Sequence, residues 1–309
     1  MNALRLATRA SELALAQARL VARRIEAELG VAAELVPLKT TGDRFAGSLA
    51  AVGGKGLFIK ELEEALLDGR ADLAVHSAKD LPALLTPGLE LAAFPVCADP
   101  RDALVARRRG ATLESLPRGA RVGTGSARRR ALLRARRPDL EVVPLRGNVP
   151  TRLRRLEERE LDAVVLACAG LERLGLADRI DERIAAEVLL PAVGQGALAL
   201  QARSGGAPAR AAAALDDAGV RARLTAERGF LVGLGGDCNV PLAALAEPAG
   251  AGALRLRALL ATGDGERVLR AEREGPAREA AALGAAAAEA ILREGGAEIL
   301  AALRREASP

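Results

Sequence analysis

The sequence predicts an α/β protein with two α/β units and a smaller α+β domain at its C-terminal end. Over about the first 95 residues, short apolar runs typical of strands alternate with helical patterns, as in βαβ units. A second series of the same kind begins near Asp99-Pro100. Beyond Arg203–Gly206 the pattern changes to a helix, a Gly/Cys loop, strands and an alanine-rich helix over Ala280–Arg293. A chain of 309 residues is long enough for two or three such domains.

The first unit begins with a predicted strand, Leu4–Thr8, and a helix that Ser11 is suited to cap. The next strand is predicted at 34–38. A glycine-rich loop, 52–56, then leads into a helix that continues through Leu66. This loop lacks the spacing and the Ser/Thr of a Walker motif, so we interpret it as a basic loop at the edge of a cleft.

The segment around Asp80 concentrates the rarest polar residues of the chain. It holds the single histidine, His76, and Lys79, one of only four lysines among 45 basic residues. Asp80 follows an apolar stretch, 71–75, that predicts a short buried strand. A carboxylate at the C-terminal end of such a strand lies where α/β sheets open their ligand crevices. A salt-bridged loop end is the alternative that the segment leaves open.

The second unit has the same alternation but is rich in arginine. A strand at 121–123 precedes a helix that Pro138 ends, and strand 141–145, helix 151–159 and strand 162–167 follow. Residues 100–160 carry 17 arginines and seven acidic residues, a net charge of +10 in a chain whose total is +5. This region should therefore face something anionic, although a run such as Arg107–Arg109 is better explained as a solvated surface.

Two segments are suited to hold carboxylates or phosphates. Thr8–Ser11 joins a strand to a helix start, where free backbone N–H groups, a hydroxyl and a guanidinium converge. Thr124–Arg129 repeats that arrangement in the second unit. Arg146, after a strand, and Arg152, in the next helix, extend the positive surface. Two such seats in facing domains predict a cleft that grips one polyanionic ligand.

The three cysteines, Cys97, Cys168 and Cys238, form no disulfide framework, which favours a cytoplasmic location. One histidine and dispersed cysteines also argue against a metal site. No apolar run is long enough to cross a membrane, and the N-terminus lacks a signal-peptide pattern. Cys238 lies in a glycine-rich turn, so it is a candidate nucleophile or attachment point, whereas core packing explains the other two.

Assembled in order, these motifs resemble those of the porphobilinogen deaminase (hydroxymethylbilane synthase) family along almost the whole chain. The matching segments are Ala7–Arg9 with Ser11, Val52–Phe58, Val75–Pro82, Asp99–Ala103, Gly123–Arg129, Leu145–Val149, Thr151–Leu153, Leu190–Ala197, Thr225–Arg228 and the Cys238 turn. One departure is that Asp237 stands between the Gly-Gly pair and Cys238, where many relatives place the cysteine directly after the glycines.

The resemblance implies a fold of two α/β domains like those of type II periplasmic binding proteins, with mixed sheets that form a cleft. It places domain 1 at residues 1–98 and 192–213, domain 2 at 99–191, and an α+β domain 3, which carries Cys238, at 214–309. The implied enzyme is a transferase of tetrapyrrole and haem biosynthesis. Nothing in the sequence demands more than a monomer.

The implied reaction condenses four porphobilinogens head to tail on a dipyrromethane cofactor joined by a thioether to Cys238. Ammonia is lost at each step, and hydrolysis then releases hydroxymethylbilane. Asp80 would be the catalytic residue, because a carboxylate stabilises the cation that forms as ammonia leaves. The remaining roles are carried over by position: cofactor contacts at Ser77, Lys79, Thr124, Ser126, Arg128 and Arg129; substrate contacts at Arg9, Ser11, Gln17, Arg146, Arg152 and Arg173; and an active-site loop with Lys55 and Phe58.

Two other functions are compatible with parts of the sequence. A solute-binding or regulatory module can share the two-domain clamp, since fold does not fix function. It would leave Cys238 without a purpose. A nucleic-acid binder would use the basic stretch 128–137, but only four aromatic residues, all Phe, are present for base stacking. We therefore expect a small-molecule substrate and neither a nucleic-acid nor a membrane partner.

Overall fold

The first α/β domain is built on a five-stranded mixed sheet. The computed structural model describes residues 3–40, 59–158, 161–235 and 240–307. In sheet order the strands are β2 (Ala33–Leu38), β1 (Leu4–Arg9), β3 (Leu73–Ser77), β10 (Leu198–Arg203) and β4 (Leu89–Ala93). The first three are parallel, and β10 is antiparallel to both of its neighbours. The helices of this domain are α1 (Glu12–Leu29), α2 (Lys60–Leu67) and α6 (Ala207–Ala212).

The second α/β domain repeats this sheet order with other parts of the chain. Its strands are, in sheet order, β7 (Glu141–Pro144), β6 (Arg121–Thr124), β8 (Ala163–Ala167), β5 (Asp102–Ala106) and β9 (Glu182–Ile184). Again three strands are parallel, and the next one, β5, is antiparallel to both neighbours. Its helices are α3 (Ala127–Arg136), α4 (Val149–Glu157) and α5 (Cys168–Arg173). The predicted pair of α/β domains with mixed sheets is confirmed.

The chain crosses between the two sheets twice, from β4 to β5 and from β9 to β10. The two crossing segments lie side by side: Cys97 and Ala197 form an antiparallel bridge, and the N–H of Ala98 donates to the carbonyl of Gly196 at 3.1 Å. Gly196 has a φ of +90°, and a Cβ there would lie 2.5 Å from the Ala98 oxygen. Only glycine permits so close an approach of the two crossings.

The C-terminal domain is a three-stranded antiparallel sheet packed against helices. The strands β11 (Leu242–Pro248), β12 (Ala253–Ala261) and β13 (Val268–Pro276) pair in chain order. The helices are α7 (Ala218–Gly233), α8 (Ala280–Ile291) and α9 (Ala297–Ala307). The core includes fully buried Phe230. Within the described ranges, no helix combines the length and the apolar character needed to cross a membrane.

Two predicted elements are displaced by two residues because local polar contacts set their ends. The strand predicted at 71–75 forms at Leu73–Ser77. It begins later because the carboxylate of Asp72 accepts hydrogen bonds from Arg5, at 2.9 Å from the backbone N–H and at 2.8 Å from the guanidinium. The helix predicted at 151–159 is Val149–Glu157. It begins earlier because the Asn148 side chain accepts the N–H of Thr151 and caps the first turn.

Candidate active site

The predicted site residues of the first domain lie at the C-terminal ends of β1 and β3. Arg9 is the last residue of β1, and Ser11 caps α1 by accepting the N–H of Ala14 at 3.4 Å. Gln17, buried in the same helix, donates from Nε2 to the Oγ of Ser77 at 2.9 Å. Since Ser77 ends β3, this bond ties α1 to the strand that precedes Asp80.

Asp80 lies on a single 3-10 turn, Ala78–Asp80, directly after β3. Its side chain is exposed, and no described residue forms a hydrogen bond or ion pair with its carboxylate. The alternative of a salt-bridged loop end therefore finds no support in the described part of the chain. A carboxylate in this state is available to a ligand.

Lys79 lies beside Asp80 but points into the junction of the two domains. It is half-buried, and its Nζ donates to the Oε1 of Gln195 at 3.4 Å. Burial, assisted by the nearby Arg129 guanidinium, lowers the pKa of Lys79 to about 8. The Lys79 side chain therefore loses its positive charge at a pH only slightly above neutral.

The single histidine has a structural place. His76 is buried, and its Nε2 lies 3.0 Å from the Oε1 of Gln201. Gln201 in turn donates to Glu63, which also accepts the Thr86 hydroxyl at 2.6 Å. Burial lowers the pKa of His76 to about 4, so the ring is neutral at ordinary pH. The rarity of His76 in the sequence does not mark a catalytic role.

In the second domain the residues of the predicted anion seat lie at the junction of β6 and α3. Thr124 is buried at the end of β6, and Ser126 caps α3 by accepting the N–H of Arg129 at 3.4 Å. A Cβ on Gly125 would lie 2.6 Å from the carbonyl oxygen of Leu145. Glycine therefore allows this turn to pack against the chain that follows β7, and the helix N-terminus remains available to an anion.

Arg152 supplies a positive charge beside this seat. Its Nη2 lies 4.0 Å from the Cβ position of Gly125, and its Nε donates to the carbonyl of Gly147 at 2.7 Å. No acidic group among the described residues forms an ion pair with Arg152. Burial, then the charges of Arg129 and Arg146, lowers the pKa of Arg152 to about 10. Such crowding of cations favours an anionic ligand.

Arg128 and Arg129 are buried around one carboxylate, that of Asp102. Arg128 Nη1 lies 2.7 Å from Oδ2 and Arg129 Nη2 lies 2.8 Å from Oδ1. Burial opposes ionisation of Asp102, but the two guanidiniums outweigh it and hold the pKa of this carboxyl well below its usual range. Sequence reasoning missed Asp102. The contact of Arg128 and Arg129 with a bound carboxylate stays a prediction, whereas their contact with Asp102 is seen.

Gln195, also missed as a site residue, joins the two domains at this point. Its Nε2 donates to Asp102 Oδ1 at 2.9 Å and to the carbonyl of Pro100 at 2.6 Å. Its Oε1 accepts from Lys79 Nζ and from Arg129 Nη2, each at 3.4 Å. The amide therefore connects the Asp80 turn of one domain with the arginine helix of the other. Its place in the matched segment 190–197 was the only available signal.

Arg173 and the two described cysteines lie near the crossing segments. Arg173 donates to the carbonyl of Gly196 at 2.5 Å, and burial lowers its pKa. Burial raises the pKa of Cys97 and raises that of Cys168 to about 11, so neither thiol is poised as a nucleophile.

Three predicted site residues, Lys55, Phe58 and Cys238, lie outside the described residues. Within the described part, no group of three or more His, Cys, Asp or Glu side chains is arranged to hold a metal ion. One cavity of about 370 Å³ lies between α3 and α9, and another of about 460 Å³ lies between α7 and β4. Neither is lined by Asp80, Lys79 or Arg152. Convergent charged groups mark the candidate site.

Comparison with known proteins identifies the family of the chain. The family model described as "Porphobilinogen deaminase, dipyromethane cofactor binding domain" matches residues 4–211, and the model of the porphobilinogen deaminase C-terminal domain matches 222–293. The chain is 50% identical over 305 residues to the porphobilinogen deaminase of Syntrophotalea carbinolica, covering 98% of this chain and 96% of that one. It is 53% identical over 289 residues to that of Sorangium cellulosum, covering 91% and 96% of the two chains.

A solved structure of the Bordetella pertussis BvgS VFT2 domain aligns with a TM-score of 0.42 at 18% identity, covering 69% of this chain and 86% of that one. This likeness is too distant to carry a functional argument. The family models and the close relatives, in contrast, span nearly the whole sequence. The chain belongs to the porphobilinogen deaminase family.

Proposed function

We propose that this chain is a porphobilinogen deaminase, the transferase that condenses four porphobilinogens head to tail, releases ammonia at each step and hydrolyses the product to hydroxymethylbilane. Its membership of the family supports this proposal. The observation that carries it is the exposed carboxylate of Asp80, which has no hydrogen-bond or ion-pair partner among the described residues, beside Lys79. Gln195 links Lys79 to Arg129, and the cationic seat at Arg152 lies near Arg129. The cationic seat can bind the acetate and propionate groups of the substrate. The carboxylate of Asp80 can stabilise the cation that forms when ammonia leaves.

The cationic seat would bind and orient the substrate. Each porphobilinogen carries an acetate and a propionate, so every added ring brings two negative charges. Arg152 has no acidic partner among the described residues, and Ser126 begins a helix whose N-terminus points at the same place. Bidentate guanidinium contacts and helix N–H groups can together fix a ring in register.

The same donor set fits a dipyrromethane, which is also an acid-bearing pyrrole. We propose that this cofactor is joined by a thioether to Cys238 and contacted by Ser77, Lys79, Thr124, Ser126, Arg128 and Arg129. When bound, it supplies an acceptor pyrrole whose free α-carbon takes the first substrate unit. The substrate contacts would be Arg9, Ser11, Gln17, Arg146, Arg152 and Arg173, with Lys55 and Phe58 on the loop over the site.

Asp80 would stabilise the charge that develops in each coupling. The C–N bond of the protonated aminomethyl group of the substrate breaks, neutral ammonia departs, and the remaining methylene-pyrrole bears the positive charge. A C–C bond then forms, and the attacked pyrrole carbon loses its proton. An exposed carboxylate with no hydrogen-bond or ion-pair partner among the described residues can accept pyrrole N–H groups and lower the energy of that cation. It can also assist the proton transfers.

Turnover of porphobilinogen by Asp80 variants tests this function. Removing one preorganised electrostatic group costs about 10²–10³ in rate, so Asp80→Asn should be almost inactive and Asp80→Glu should keep slight turnover. Ehrlich's reagent reports bound dipyrrole and product, and mass spectrometry of the intact protein reports the covalent adduct. The control is Asp68→Asn, which changes an exposed carboxylate of the same domain. Wild-type rates in Asp80→Asn would remove Asp80 from the mechanism, and a protein of bare sequence mass would favour a binding module.

We also propose that the enzyme is a cytoplasmic monomer whose three domains span 1–98 with 192–213, 99–191, and 214–309. The return of β10 to the first sheet supports the split of the first domain. Sedimentation of the purified protein at micromolar concentration should give the mass of one chain, and a dimer would contradict the monomer.

A further inference from the structure

Helix α7 makes polar contacts around the Asp80 turn that the proposed function does not use. The first comes from Glu227, which is only 3% exposed. Its Oε2 accepts the backbone N–H of Gly194 at 2.7 Å, and its Oε1 accepts the N–H of Ala246 in β11 at 3.0 Å. One side chain of the C-terminal domain thus binds the segment that crosses back into the first domain.

Gly194 transmits this contact to the residues just before Asp80. It has a φ of +72°, and a Cβ there would lie 2.9 Å from the carbonyl carbon of Ala78 and 3.1 Å from the nitrogen of Lys79. Its backbone therefore packs directly on the Ala78–Lys79 peptide. Since Glu227 fixes the N–H of Gly194, it also fixes the surface on which that peptide lies.

Arg228, the next residue of α7, contacts the chain just after Asp80. Its Nη2 donates to the carbonyls of Pro82 at 2.9 Å and Ala83 at 3.1 Å. Between these two contacts Leu81 is 3% exposed and shares a buried cluster with Leu224 of α7. One helix therefore supports the start of the turn that presents Asp80 through Gly194, and it contacts the chain after the turn directly. The Asp80 side chain itself remains exposed.

The same helix precedes Cys238 in the sequence. After α7 ends at Gly233, the chain continues through Gly235 to residues 236–239, and β11 begins at Leu242. The structure thus links the Asp80 turn to the helix that precedes the Cys238 segment and, through Ala246, to the strand that follows it. We propose that Glu227 and Arg228, the α7 clamp, are positioning residues that hold Asp80 in register with the domain that carries Cys238. This inference rests on the proposed function in assigning the chemistry to Asp80.

Steady-state kinetics on porphobilinogen test the clamp. A misplacement of about 1 Å can cost on the order of 10²-fold in rate, so Arg228→Met should lower kcat by about 10–100-fold. KM should change by less than about threefold, because the carboxylate seats lie on other elements. Arg228→Lys, which keeps one donor, should recover part of the rate. Glu227→Leu should behave like Arg228→Met, and Glu227→Gln, which keeps one acceptor, should be intermediate.

Arg257→Met is the matched control. Arg257 is also an arginine of the C-terminal domain with an 18% exposed side chain, and it bonds to Glu187 and Glu247 without contacting the turn. Its loss should leave kcat unchanged. A wild-type kcat in both Arg228→Met and Glu227→Leu would overturn the clamp, as would an equal loss in Arg257→Met.

Hydrogen exchange gives a readout that does not depend on activity. The N–H of Leu81 bonds to the carbonyl of Ala78 at 3.3 Å. Peptides that contain residues 78–83 should exchange faster in Arg228→Met than in the wild type and should be unchanged in Arg257→Met. Unchanged exchange in Arg228→Met would refute the clamp. If the wild type fails to consume porphobilinogen, the proposed function fails, and the exchange comparison still decides the clamp.

Discussion

Replacement of Asp102 by asparagine should lower the stability of the protein strongly. The Asp102 carboxylate is fully buried and accepts five hydrogen bonds, two each from Arg128 and Arg129 and one from Gln195. Asparagine keeps one acceptor oxygen, but it leaves two buried guanidiniums without a counter-charge. Loss of one partner from a buried ion pair costs about 3–5 kcal/mol. At roughly 2–4 °C per kcal/mol, the Tm should fall by about 10 °C.

Thermal and urea unfolding of the wild type and two variants would check this magnitude. The control is Asp68→Asn, because the pair of Asp68 with Arg70 is about half exposed, and such solvent-screened pairs contribute little to stability. Only Asp102→Asn should shift the midpoint by more than a few degrees. Equal midpoints for the two variants would refute the inference that the hydrogen bonds and ion pairs of Asp102 stabilise the junction of the two domains.

Three further predictions concern single side chains. Because the pKa of Lys79 is lowered to about 8, its positive charge is lost as the pH rises through that value, so the KM for porphobilinogen should increase between pH 7 and 9. The variant Lys79→Arg should show a smaller increase. Identical pH profiles of KM for the two proteins would contradict a role of the Lys79 charge in binding. Arg152→Met should lower kcat/KM by about 10–100-fold through the loss of one charged contact, and Arg154→Met, in an exposed pair with Glu158, should not; equal effects would remove Arg152 from the seat. Because the pKa of His76 is lowered to about 4, the free energy of unfolding of the wild type should decrease by about 3 kcal/mol as the pH falls from about 6.5 to 4. The difference in free energy of unfolding between the wild type and His76→Leu should therefore become smaller over that range. A difference that does not depend on pH would be inconsistent with a buried neutral ring.

Local features of the fold could be predicted because neighbouring residues determine them. Ser11 and Ser126 both cap helices, since a side-chain oxygen after a strand needs only the next few N–H groups. The strand before Asp80 was found to within two residues. The run Arg107–Arg109 is exposed, as expected for a solvated surface.

Features that depend on distant pairing could not be found in this way. The excess of arginine in residues 100–160 was interpreted as charge facing an anion, yet Arg128 and Arg129 turn inward to Asp102, 26 and 27 residues away. The sequence shows no convincing internal repeat, although the two sheets share one strand order. The antiparallel strand of each sheet, β5 or β10, follows in the chain a strand of the other sheet. The two sheets therefore have the same strand order without a repeat in the sequence.

The paired crossing segments also determine where the two α/β domains can pivot. We expect a rotation of one sheet relative to the other to turn about the contact of Cys97 and Ala98 with Gly196 and Ala197. Atoms near such an axis move little, and atoms at the outer rims move far. Gln195, next to this axis, accepts hydrogen bonds from both Lys79 and Arg129, so we expect the distance between these two side chains to change little during such a rotation. The reacting groups can therefore stay at fixed distances as a lengthening oligomer takes up space farther out.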